Sequence, residues 1–118
     1  MKLTNGQAFE ILTMLAASKE TGKLGFALAK QRRYIETELT EFINIRNAIV
    51  REHTAEDGRL YPDQIADANK ELSEYLDLPC DFPVVHVDED TFTSGTLTAV
   101  EMFKLFFMTE DKDNAEVS

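Results

Sequence analysis

Lys23 to His53 is the stretch that most constrains the fold, because it has no proline and its last glycine is Gly25. Leu28, Ile35, Phe42 and Ile49 recur at every seventh position, and Leu39 and Ile45 fill in on the same side. This is the pattern of a long amphipathic helix with a narrow apolar seam. At a rise of ~1.5 Å per residue, an unbroken helix over this stretch reaches roughly 45 Å. A chain of 118 residues cannot wrap such a rod. The seam must therefore be covered by a second helix folded back on it, or by another molecule.

Local signals place the remaining elements. Thr4 and Gln7 have capping-box spacing ahead of the stripe Phe9, Ile11, Leu12, Leu15 and Ala16, which predicts a first helix over 5–18. Gly22 closes a turn, and the long helix follows over 24–53. The Glu56-Asp57-Gly58-Arg59 stretch reads as a tight turn. Past Pro62, with Asp63 as an N-cap or first-turn acid, a third helix is expected over 64–76. Val84, Val85 and Val87 suggest a short strand within 82–88, pairing within the chain or with a neighbour. Asp88 to Gly95 reads as a polar loop. Thr98 and Glu101 form a second capping box and open a last helix over 99–108, which is apolar around most of its circumference. The expected architecture is mainly α: a long helix, a shorter antiparallel helix, two flanking helices and one short β element. Residues 1–108 make a single helical domain, and 109–118 read as a frayed acidic tail.

Charge narrows the function classes. The net charge is -10 and is unevenly spread. Residues 23–53 carry six bases and four acids, whereas 54–96 carry eleven acids and two bases. An acidic chain is repelled by phosphate backbones, so direct nucleic-acid binding is not expected, nor is an anionic membrane surface. The apolar runs are far shorter than the ~20 residues a membrane span needs. The lone Cys80 cannot form an internal disulfide, which suits a reducing compartment.

Candidate chemistry is sparse. His86, Asp88 and Asp90 alternate as a metal site on a strand would, but a solvated acidic loop accounts for them. Cys80 with His86 or His53 could form a nucleophile–base pair, against the plainer reading of a packed thiol. No phosphate-cradling glycine loop or nucleophile elbow is present. The expectation is a protein that is not an enzyme and that needs no cofactor or metal. Lys30, Arg32 and Arg33 form a basic cluster on the long helix. With an acidic second half on the same chain, this permits head-to-tail self-association. Asp63, Asp67, Glu71 and Glu74, spaced four, four and three apart, line one face of the third helix.

The order of features resembles a family of small, functionally uncharacterised proteins of tailed bacteriophages of Gram-positive bacteria, often encoded in structural or tail gene regions. The resemblance runs through Met1-Lys-Leu-Thr-Asn5, Arg33-Tyr34 with Glu38, Phe42 and Arg46-Asn47, then Glu56-Asp-Gly-Arg59, Ala68-Asn-Lys-Glu-Leu72 and Ser94-Gly-Thr-Leu97. It implies a phage origin, in the host cytoplasm or the virion, and supplies no catalytic residues. Two functional expectations follow. In the first, an accessory or structural phage protein acts through protein contacts, with itself or with a host or phage protein. Leu28, Ile35, Phe42, Ile49, Phe103, Phe106 and Phe107 would carry the docking. In the second, the carboxylates of Asp63, Asp67, Glu71, Glu74, Asp88, Glu89 and Asp90 mimic a DNA phosphate ladder and inhibit a host anti-phage defence of CRISPR type, or another nucleic-acid-binding protein.

Overall fold

The computed structural model describes residues 1–110; the acidic stretch expected over 109–118 lies outside them from residue 111 onward. The order of elements is β1 (Lys2–Thr4), α1 (Asn5–Ala17), α2 (Gly22–Glu38), α3 (Thr40–His53), α4 (Pro62–Leu76), β2 (Pro79–Asp81), α5 (Glu89–Thr93) and α6 (Ala99–Leu105). A 3-10 turn over Phe106–Thr109 follows α6. The molecule is mainly α with one two-stranded antiparallel sheet, and it is elongated, at 53 × 31 × 21 Å.

The expected single rod is instead two helices. Leu39 separates α2 from α3, with ψ at 2° where a helix has about -42°. The cause is local. Thr37 Oγ1 donates to the Arg33 carbonyl at 2.9 Å, and Thr40 Oγ1 donates to the carbonyls of Glu36 and Thr37, each at 3.0 Å. Threonine hydroxyls bonding back to the preceding turn compete for helical carbonyls and bend the helix. Hydrogen bonding still passes through the bend, because Leu39 N–H reaches the Ile35 carbonyl and Ile43 N–H reaches that of Leu39. Heptad spacing does not reveal this bend, since the apolar seam continues on both sides of it.

The seam is covered from within the chain. Helix α4 folds back along α3, and α1 packs on α2 and on α4. Leu24, Leu28, Ile35, Leu39 and Phe42 join Ile11, Leu12 and Leu15 in one core, each large side chain stabilising by about 1.5–3 kcal/mol on burial. The α1 start is capped as expected: Thr4 Oγ1 accepts from Gln7 N–H, and Gln7 Oε1 accepts from Thr4 N–H. Asn5 then locks α1 to the end of α4, its side chain donating to the Tyr75 carbonyl at 3.0 Å and its backbone to that of Leu78 at 2.8 Å.

The valine-rich segment is not a strand, and residues 88–95 are not simply a loop. The sheet instead pairs Leu3 with Cys80, one turn of chain earlier than expected. Segment 82–87 is held by other partners. The fully buried Gln31 side chain donates to the Pro83 carbonyl at 2.9 Å and accepts from Val85 N–H at 2.8 Å, while Val87 N–H goes to the Met108 carbonyl. Strand pairing is unnecessary when side chains and a distant turn satisfy the backbone. Asp88 caps the unforeseen α5 by accepting from Thr91 N–H at 2.8 Å. The Ser94–Leu97 loop then lies on the start of α2. Glu20 accepts there from both the backbone and the hydroxyl of Thr96, and a Cβ on Gly95 would fall 1.9 Å from the Glu20 carboxylate.

Replacing Gln31 with leucine strands two backbone groups at about 1–3 kcal/mol each. Urea unfolding of Gln31→Leu should show a loss of roughly 2–4 kcal/mol; a loss below about 0.5 kcal/mol would mean that the pair of bonds contributes little.

Candidate protein-docking site

Helix α6 starts firmly. Thr98 Oγ1 accepts from Glu101 N–H, and Glu101 Oε1 accepts from Thr98 N–H at 2.8 Å. Its inner face is fixed by Leu105, with Phe107 and Met108 buried just beyond. Phe107 meets Phe82 edge to face, with centroids 6.0 Å apart. The outer side of α6 carries Val100 and Phe103, continued by Phe106 in the 3-10 turn, at a spacing of three; they are 64%, 84% and 54% exposed. Single exposed apolar residues are ordinary, and Phe26 on α2 is one such. Val100 and Phe103 on α6 and Phe106 at the start of the 3-10 turn, two of them phenylalanine, together form an apolar ridge of the kind that marks a contact surface. Beside it, Lys104 Nζ of α6 faces Glu10 Oε1 of α1 at 3.9 Å.

Of the seven residues expected to carry docking, only Phe103 and Phe106 are exposed. Leu28, Ile35, Phe42, Ile49 and Phe107 are buried in the chain's own interior. The physical reason is that α1 and α4 suffice to cover the seam once α2 and α3 bend around them.

A second apolar feature lies further round α1. Phe9, Leu12 and Ile43 line an open cleft of about 590 Å³ at the α2–α3 bend, rimmed by Arg32 and Arg33. Arg32 is committed to Glu36 at 2.6 Å, whereas Arg33 has no ion pair among the described residues. The Arg46 guanidinium stacks over the Phe9 ring at 5.2 Å. The basic cluster was legible in the sequence, but its apolar floor was not, because Phe9 and Leu12 read as ordinary core residues of α1.

The acidic residues are all at the surface but are not equally free. Asp63, Asp67, Glu71 and Glu74 are exposed on α4, and Glu71 is engaged by His53 Nε2 at 3.2 Å. Asp88 serves as the α5 cap, and the Thr91 backbone and then its side chain hold the Asp88 carboxyl below the usual carboxylate range. Glu89 and Asp90 stand exposed in the first turn of α5.

His86, Asp88 and Asp90 are not drawn together as ligands. The group among the described residues whose ligand atoms lie within 4.8 Å of one another is Glu52, His53 and Glu71. His53 Nδ1 faces the Ile49 carbonyl at 2.8 Å, an arrangement that leaves Nε2 for Glu71 or for a cation. Sequence spacing missed this trio because it is assembled from the end of α3 and the middle of α4. Cys80 sits buried in β2, and burial, followed by the charges of Glu38 and Asp81, pushes its thiol pKa up. That is the opposite of what an activated nucleophile needs.

No family model, curated protein or solved structure matches the chain. Among the described residues no helix is long and apolar enough to cross a membrane.

The Cys80 thiol should react with a disulfide reagent on the order of a hundredfold more slowly in native buffer at pH 8 than in denaturant. Its raised native pKa favours the neutral thiol, so the associated stability is complete below the ordinary thiol pKa and falls as pH climbs through the raised value. Urea titrations of Cys80→Ala should accordingly show a shallower alkaline decline than the parent; equal slopes and rapid native labelling would contradict the burial.

Proposed function

We propose that this chain is a non-enzymatic bacteriophage accessory or structural protein that acts by docking to protein surfaces through the α6 ridge. The carrying observation is the exposure of Val100 and Phe103 on α6 and of Phe106 in the turn that follows, while Leu105, Phe107 and Met108 of the same stretch are buried. Burying two phenylalanines and a valine against a partner removes a few hundred Å² of apolar surface, enough for the centre of a modest interface. The phage setting rests on the order of sequence motifs described above. A non-catalytic role is supported by the buried thiol with its raised pKa.

A second reading is favoured by one observation, the four exposed carboxylates along α4. They would allow the chain to occupy a basic channel of a nucleic-acid-binding target. Asp67→Lys with Glu74→Lys would abolish such inhibition and leave ridge-dependent contacts intact.

The test is gradient sedimentation of the tagged protein in extracts of phage-infected cells. The parent should move in complexes well above its 13.4 kDa chain mass, and Phe103→Gln with Phe106→Gln should leave it at the chain mass. Identical sedimentation of the two would refute ridge-mediated docking.

A further inference from the structure

The apolar ridge on α6 and the cationic, apolar-floored cleft at the α2–α3 bend are complementary, and both are open on the same molecule. We infer that the ridge of one copy seats in the cleft of a second copy, so that the protein associates head to tail. This inference rests on the docking reading above and names its partner.

The ridge cannot serve its own cleft. Helix α6 packs on α1 with Lys104 on the Glu10 side, whereas the cleft opens on the side of α1 bearing Phe9, Thr13 and Ala16. The helical positions of Glu10 and Thr13 differ by three residues, or roughly 60° around the axis, and Glu10 and Ala16 by roughly 120°. A short helix locked by Leu105 has no means of crossing that angle.

Charge favours ridge into cleft over ridge onto ridge. The ridge is flanked by Glu101 and by the exposed Glu110. Lys104, its nearest cation, already faces Glu10. Two ridges meeting on a twofold axis would bring like carboxylates together. A ridge entering the cleft brings Glu101, one of whose carboxylate oxygens caps α6, and Glu110 toward Arg33, which is unpaired among the described residues, while the acid that lines the cleft, Glu36, is already held by Arg32. The chain carries a net -10, so an interface between copies gains by setting a cation that has no ion pair, as Arg33 has none among the described residues, against acids. The cleft also matches the ridge in kind: Phe9, Leu12 and Ile43 supply an apolar floor for a phenylalanine ring. Because the two patches differ, the contact is heterologous and generates rings or open chains of copies.

Two variants of the full chain, mixed, give the test. Phe103→Gln with Phe106→Gln removes the ridge and keeps the cleft. Ala16→Arg with Arg33→Glu fills and reverses the cleft and keeps the ridge. All four positions are exposed, so folding should survive, and circular dichroism checks it. By light scattering the parent should exceed 13.4 kDa in a concentration-dependent way. Each variant alone should be a monomer, and their equimolar mixture should form a twofold complex and nothing larger. Restoration on mixing also shows that both variants are folded. The inference is overturned if the cleft variant alone still associates, if the mixture stays monomeric, or if the parent is monomeric throughout. A monomeric parent whose infected-cell complexes still depend on Phe103 and Phe106 would leave the docking reading standing and remove only the second copy as the partner.

Discussion

The buried amide of Gln31 is the interaction on which the two halves of this molecule depend. It sits fully enclosed on α2 and meets the Pro83 carbonyl and the Val85 N–H together. A buried polar side chain is tolerated only when its bonds are made, and here both sides of the exchange are satisfied at once. The amide therefore fixes where the chain lies after β2, and with it the positions of Val87, Phe92 and the turn that ends α6. Met108 closes the same circuit by accepting from Val87 N–H.

The bend at Leu39 is the second determinant. A straight rod of this length would have left part of its seam uncovered by a chain this small. Bending at Thr37 and Thr40 lets α1 and α4 cover the seam between them, α1 along α2 and α4 along α3. The same bend opens the cleft, whose walls include both threonines as well as Phe9 and Ile43. Helix distortion, closure of the core and creation of a concave surface thus share one cause.

With the seam enclosed, the exposed apolar and acidic surfaces lie at the edges of the molecule. The ridge stays bare because α6 is short and apolar on both sides, and only its inner face is claimed, by Leu105 and by the Phe107–Phe82 contact just beyond it. The carboxylates of Asp63, Asp67, Glu71 and Glu74 are exposed on α4, and His53 of α3 ties one of them, Glu71, into the α3–α4 hairpin. The Glu52, His53 and Glu71 trio is assembled at that same hairpin.

Local grammar was readable from residue types alone. The Thr4–Gln7 and Thr98–Glu101 boxes, the Asp57-Gly58 turn and the proline-led start of α4 each act within four residues, so composition suffices to place them. The helical character and the hairpin of α3 with α4 followed from periodicity. Tertiary structure alone decided which apolar residues were spare. Periodicity marks Ile35 and Phe103 equally as apolar, but burial depends on what packs opposite, and one is enclosed while the other is 84% exposed. It also decided the fate of the valine segment, whose strand propensity lost to a glutamine fifty-odd positions away. It likewise brought Arg33 to the lip of an apolar hollow, since a cleft is a relation between helices and no single stretch of chain encodes it.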